Sequence, residues 1–273
     1  MTRYLVVPQW QGSPSSRAMQ LIDGAQAIAG DLPRSATTVL DVPMEAGESL
    51  GTGIHRFSSL QRVSAQIADA LAGHTEPVLT IGGDCGIALA PIAHAARRSP
   101  GLAVVWLDAH PDLNSPQSSP SGAFAGMVLS AVLGRGEPGL SLEAGTIGAD
   151  RIVIAGARSY DDAELDLVTE LGIATLAVDV LRDAEALAES VALTGADAVY
   201  VHIDVDVLDP SELAGNAHPE PFGVSVSELT AAVSGLRARL PLVGASLAGY
   251  SPASAASATD DLGAILRVIG ALA

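Results

Sequence analysis

The stretch Trp106-Leu107-Asp108-Ala109-His110-Pro111-Asp112-Leu113-Asn114 stands where an apolar run ends and ionisable side chains begin. Gly101 to Leu107 is short, apolar and β-branched, the composition of a strand covered on both faces in a parallel sheet. Asp108, His110 and Asp112 then occupy alternate positions. Alternate residues of an extended segment point the same way, so both carboxylates and the imidazole can converge. Carboxylates packed that closely repel unless a positive charge lies between them, and a divalent cation supplies it. The competing reading is a polar strand-to-loop turn in which Asp caps a helix.

Two further segments repeat the pattern. Ala198 to Ile203 is a second buried strand, and it runs into Asp204-Val205-Asp206-Val207-Leu208-Asp209-Pro210, where Asp204 and Asp206 share a face. Pro77 to Ile81 is a third, ending at Gly82-Gly83-Asp84-Cys85-Gly86, whose glycines permit a tight turn into a helix. Three parallel-type strands thus deliver metal-ligating side chains from their carboxyl ends, where open α/β sheets place their sites.

Working outward, strand and helix patterns alternate along the chain. Strands are expected at Arg3 to Val7, Thr37 to Val42, Arg151 to Ala155, Ile173 to Val178 and Leu242 to Leu247. Helices are expected at Ser15 to Ala29, Phe57 to Leu71, from Cys85 to Ala96, and at Met127 to Leu133. Others follow at Asp183 to Leu193, Val226 to Leu240 and Thr259 to Leu272. The alternation implies an α/β fold: one three-layer αβα domain over 1–273 around a mainly parallel sheet. Ser115 to Gly126 and Asn216 to Gly223 read as loops beside the acidic cluster.

Composition narrows the function classes. A formal net charge of −17 disfavours nucleic acid and anionic membranes as partners. No apolar run approaches the roughly 20 residues of a membrane span, and no signal pattern opens the chain. All 14 basic residues are Arg, which excludes lysine-based chemistry. The single Cys excludes an internal disulfide and agrees with a reducing cytoplasm.

The Gly-Gly-Asp-Cys, Asp-Ala-His-x-Asp-x-Asn and Asp-x-Asp-x-x-Asp-Pro segments resemble, in order and spacing, the three signature motifs of the arginase/agmatinase (ureohydrolase) family. The resemblance implies a hydrolase acting on the C–N bonds of linear amidines with two Mn²⁺. It further implies that Cys85, Asp108, Asp112 and Asp204 hold one ion, while His110, Asp108, Asp204 and Asp206 hold the other. A water between two cations is acidified and can attack a guanidine carbon, with Asp112 also hydrogen-bonding the attacking oxygen. Oxygen-rich ligands suit Mn²⁺ on their own chemistry.

Cys85 stands where the family usually has His. A thiolate there favours Zn²⁺ or Fe²⁺; as a non-ligand it is a small buried hydrophobe. Ala125 occupies the position of the family's proton-shuttling His, and Gly249 that of the Glu that binds a cationic guanidinium. Asn114, Ser121 and Asp161 match positions that bind an amino-acid head group, and Glu164 matches a nearby acidic one. His218, in the loop after Pro210, is either a replacement proton donor at the mouth of the site or an exposed His without a role.

The retained head-group residues and altered guanidinium end point to a small guanidino substrate less basic than arginine. Nω-hydroxy-L-arginine, cleaved to hydroxyurea and L-ornithine, fits, as in the family's hydroxyarginine hydrolases of antibiotic biosynthesis. The alternatives are an arginase- or agmatinase-type reaction on another guanidine, or a metal-free binding protein. The oligomeric state is left open.

Overall fold

The computed structural model describes Thr2 to Ala273. Among these residues eight strands form one sheet: β1 (Arg3–Val6), β2 (Thr37–Val39), β3 (Val78–Ile81), β4 (Leu102–Leu107), β5 (Ile152–Ala155), β6 (Ala174–Leu176), β7 (Ala198–Asp204) and β8 (Leu242–Ala248). Their order is β2-β1-β3-β8-β7-β4-β5-β6, and every neighbouring pair is parallel. The expected "mainly parallel" sheet is therefore wholly parallel, because each crossover returns over a face through a helix.

Side-chain alternation divides the core in two. Along β4, Leu102, Val104 and Trp106 face one layer, while Ala103, Val105 and Leu107 face the other. The first face is covered by α2 (Phe57–Leu71), α3 (Leu89–Arg98) and α4 (Val128–Val132), with α5 (Asp162–Leu171) at its margin. The opposite face is covered by α1 (Gln20–Asp31), α7 (Ala186–Leu193), α8 (Val226–Arg239) and α9 (Ala255–Leu272), with the short α6 (Val178–Leu181) beside them. In α2, Leu60, Val63, Ile67 and Leu71 make a buried stripe at helical spacing. No described helix is long and apolar enough to cross a membrane.

Several boundaries differ from the expectation. The first helix begins at Gln20, not Ser15. Ser13 Oγ accepts from Ser15 N and Ser15 Oγ from Arg17 N, so serine turns compete with helix there. The edge strand β2 stops at Val39, short of Val42 and Pro43. The 173–178 segment pairs only over Ala174–Leu176, since Val178 enters α6. An Asx turn, in which Glu185 N donates to Asp183 Oδ1, delays α7 to Ala186. The last helix starts earlier than expected, at Ala255, because Ser254 Oγ accepts from Ser257 N as its cap. The third-motif helix opens with a turn of 3₁₀ helix, Cys85–Ala88, before α3.

This topology fixes the site. The four central strands β3, β8, β7 and β4 are those whose carboxyl ends lead to Cys85, Gly249, Asp204 and Asp108. They open a crevice at their carboxyl ends.

Candidate metal centre

Three strand ends use the same turn. Asp84 Oδ1 accepts from Gly86 N at 3.0 Å, Asp108 Oδ1 from His110 N at 2.7 Å, and Asp204 Oδ1 from Asp206 N at 2.9 Å. Convergence of the ligand residues thus comes from these turns and not from an extended strand. Val205–Val207 is a 3₁₀ turn, and Asp112 adopts a left-handed backbone, φ 51°. The expectation of strand alternation at 108–112 and 204–206 is corrected on this point. After glycine, Asp and Asn are the residues that tolerate such a conformation best.

Around the crevice, Cys85 Sγ is 3.0 Å from Asp204 Oδ2 and 3.8 Å from Asp108 Oδ2. His110 Nδ1 is 2.9 Å from Asp206 Oδ2 and 3.5 Å from Asp108 Oδ1. Ala109 N donates to the other Asp206 oxygen, fixing that carboxylate. Asp112 is buried, and its Oδ2 has no hydrogen-bond partner.

Burial and mutual proximity shift the acidic groups together. Burial, reinforced by its Asp206 neighbour, pushes Asp204 up to about 7. Burial and Asp108 push Asp206 to about 7 as well. Asp112 is raised well above the ordinary carboxylate range by burial and by Asp108. Burial and the surrounding carboxylates likewise push the Cys85 thiol up. Burial would lower His110, but its contacts with Asp108 and Asp206 prevail and push it up to about 12. Asp84, held by Gln9 Nε2, Gly12 N and Gly86 N, is still raised to about 6 by burial.

The residues present fit a metal cluster. Asp108, His110 and Asp206 offer ligand atoms within 4.8 Å of one another, and so do Cys85, Asp108 and His202. Asp112 Oδ2 is a buried acceptor without a donor, the situation a bound cation resolves.

His202 was not anticipated. It is fully buried, stacks on Trp106 with centroids 3.8 Å apart, and shares a hydrogen bond of 2.7 Å between Nδ1 and Ser246 Oγ. Its position two residues before Asp204, on the same strand face, is the signal that could have found it. Burial lowers its pKa to about 3, so it lies neutral beneath the acidic groups.

A cavity of about 160 Å³ opens above these groups and is lined also by Asn114, Ser121, Asp161, Glu164 and His218. Asn114 Nδ2 donates to Asp161 Oδ2 at 2.8 Å, and Asn114 Oδ1 accepts from Ser118 Oγ at 2.7 Å. Ser118 joins the head-group end without having been expected there. Ser121 is exposed, and its Oγ accepts from Ala123 N. Glu164 is buried, with one oxygen accepting from Leu113 N and the other from Asp161 N. It braces the two loops that carry Asn114 and Asp161 while also lining the cavity.

At the mouth, His218 N donates to Asn216 Oδ1. The residue is exposed, yet protein atoms crowd its ring and lower its pKa despite nearby Asp206 and Glu220. Gly249 has φ +84°, and a side chain built on it would run into the Asp204 carboxylate. Any side chain at position 249 would therefore have to displace the Asp204 carboxylate.

The model of the family described as "Arginase family" matches residues 17–269. The chain belongs to the Arginase family. The arginase of Bacillus caldovelox is 34% identical over 204 residues, 69% of this chain and 68% of that protein. Among solved structures, arginase from Bacillus caldovelox has a TM-score of 0.84 at 25% identity, covering 99% of this chain and 97% of that one. Entamoeba histolytica arginase, in complex with L-ornithine, has a TM-score of 0.87 at 22% identity, with the same coverage. Arginase-family homologues are binuclear metal hydrolases acting on amidine C–N bonds. In this member of the Arginase family, the crevice at the ends of β3, β8, β7 and β4 brings Cys85, Asp108, His110, Asp112, Asp204 and Asp206 together.

Proposed function

We propose that the protein is a two-metal amidinohydrolase that cleaves Nω-hydroxy-L-arginine to hydroxyurea and L-ornithine. The split character of its cavity carries the proposal. Asn114 and Asp161 lie hydrogen-bonded at one end, suited to the carboxylate and ammonium of an amino acid. At the other end Cys85, Asp108, His110, Asp112, Asp204 and Asp206 converge, and Gly249 offers no carboxylate to a cationic guanidinium. Loss of a buried charge partner typically costs about 3–5 kcal/mol. N-hydroxylation lowers guanidine basicity, so hydroxyarginine suffers less from that loss than arginine.

The converging residues would hold two divalent ions, Mn²⁺ by the preponderance of oxygen donors, which would supply an acidified water and a polarising positive charge. Cys85 makes Zn²⁺ or Fe²⁺ the alternative at its end of the cluster. Asp112 directs its unpartnered Oδ2 to the hydrogen of the attacking water and thereby orients the oxygen lone pair. As water adds to the guanidine carbon, the C–Nδ bond breaks and ornithine Nδ takes up a proton. His218, at the mouth, takes up the proton released by the attacking water and passes it to that nitrogen in place of the side chain missing at Ala125. Asp161 and Asn114 hold the head group so that the guanidine reaches the acidic groups. A single domain over 1–273, a cytoplasmic location that keeps Cys85 reduced, and a role in antibiotic biosynthesis belong to the same proposal.

A second substrate, L-arginine, is favoured by the arginase relatives and by the ornithine held in the Entamoeba enzyme. The two separate in kcat/KM measured with Mn²⁺ for hydroxyarginine, arginine, agmatine, guanidinobutyrate and formimidoylglutamate. Hydroxyarginine should lead by at least tenfold, about 1.4 kcal/mol. A lead for arginine or agmatine would overturn the substrate assignment and leave amidine hydrolysis standing.

A further inference from the structure

We infer that Glu220 is a positioning residue for His110, set in place by Arg158. The inference rests on the metal-binding part of the proposed function and is independent of the substrate. His110 Nδ1 faces Asp206 and Asp108, so Nδ1 is the nitrogen that would meet an ion shared with those carboxylates. The opposite nitrogen, Nε2, faces Glu220 Oε1 at 3.8 Å. A ligating imidazole holds its orientation and tautomer when its second N–H is taken by a carboxylate. The Glu220 side chain is 34% exposed and so is not locked by packing at that distance.

Glu220 lies in a loop without regular structure, so its placement needs an anchor. Arg158 supplies it. Its Nη2 donates to the backbone oxygens of both Asp206 and Glu220 at 2.8 Å, its Nε to Pro221 O at 2.9 Å, and its Nη1 to Gly156 O at 2.9 Å. One guanidinium thus ties the turn that carries Asp206 and the loop that carries Glu220 to the end of β5. Among the described residues Arg158 makes no salt bridge to a side chain, so its donors serve this clamp and do not await an anionic substrate. A lysine could not reproduce it, because its ammonium cannot span carbonyls in a fixed plane.

The test titrates Mn²⁺ into chelator-stripped wild type, Glu220→Ala, Glu220→Gln and Arg158→Lys by calorimetry, with thermal unfolding of each metal-free form. Wild type should bind two equivalents. Glu220→Ala should weaken one of them about 10–100-fold and leave the other and the metal-free Tm unchanged. Glu220→Gln, which can still accept from Nε2, should recover part of the affinity, and Arg158→Lys should weaken the same equivalent. Equal affinities for both equivalents in wild type and Glu220→Ala would overturn the inference while leaving the metal centre intact. A wild type that binds less than one equivalent would remove the metal centre and Glu220's role together.

Discussion

Cys85 Sγ lies 3.0 Å from Asp204 Oδ2, with both residues buried among further carboxylates. A thiol in that position donates to the carboxylate while protonated. An ion arriving between them displaces the proton and gains a soft ligand. Cys85→Ala should therefore lose most of one metal equivalent, and Cys85→His should keep both while shifting preference away from Zn²⁺. Metal analysis after incubation with Mn²⁺ and with Zn²⁺ reads both effects. Full two-ion occupancy in Cys85→Ala would reduce Cys85 to packing.

Gly249 cannot be restored to the acidic residue of the arginases by simple substitution. Its left-handed backbone costs a side chain about 1–2 kcal/mol, and that side chain would meet the Asp204 carboxylate. Gly249→Glu should lower Tm and metal occupancy without raising arginine hydrolysis. A variant that stays metal-loaded and gains arginine activity would contradict the geometry.

Stability of the metal-free protein should fall as pH rises. Asp204 and Asp206 are pushed to about 7, above an unfolded value near 4. Their contribution is fully present below about pH 4 and is lost as pH rises through about 7. Metal binding, which needs the ionised carboxylates, should strengthen over the same range and release protons. Thermal unfolding between about pH 5 and pH 8, with and without Mn²⁺, should show the two curves diverging upward in pH. Parallel curves would show that no ion replaces those protons.

Asn114→Ala should raise KM far more than it lowers kcat. Asn114 hydrogen-bonds Asp161, and the proposed function puts this pair at the head-group end, away from the reacting carbon. A hydrogen bond to a charged group is worth about 1.5–3 kcal/mol, which corresponds to about a 10- to 150-fold rise in KM. Steady-state kinetics on hydroxyarginine provide the check, and a loss confined to kcat would place Asn114 in the chemistry instead.

Much of this architecture was legible in the sequence because buried parallel strands write themselves as apolar runs that end in Asp. Leu102 to Leu107 and Ala198 to Asp204 are such runs. The candidate ligand positions, which share one crevice, followed from their motifs. The reason for their convergence did not, since hydrogen bonds such as His110 N to Asp108 Oδ1 belong to turns and leave no periodicity. Glu164 matched an acidic position near the head-group residues, but the two backbone N–H groups that tie it to the Asn114 and Asp161 loops could not be read from spacing. The roles of Glu220 and Arg158 depend on a loop crossing from β7 to β5, a contact between segments about 60 residues apart. Ser13 and Ser15 held back the first helix by side-chain turns that a hydrophobic stripe does not register.

The most direct measurement is a titration of chelator-stripped protein with Mn²⁺ in which bound metal and hydrolysis of Nω-hydroxy-L-arginine are followed together. The account predicts that hydroxyurea and ornithine form in equal amounts and that the rate climbs until two equivalents are bound. Binding of less than one equivalent, with no amidine cleavage at saturating Mn²⁺, Zn²⁺ or Fe²⁺, would contradict it.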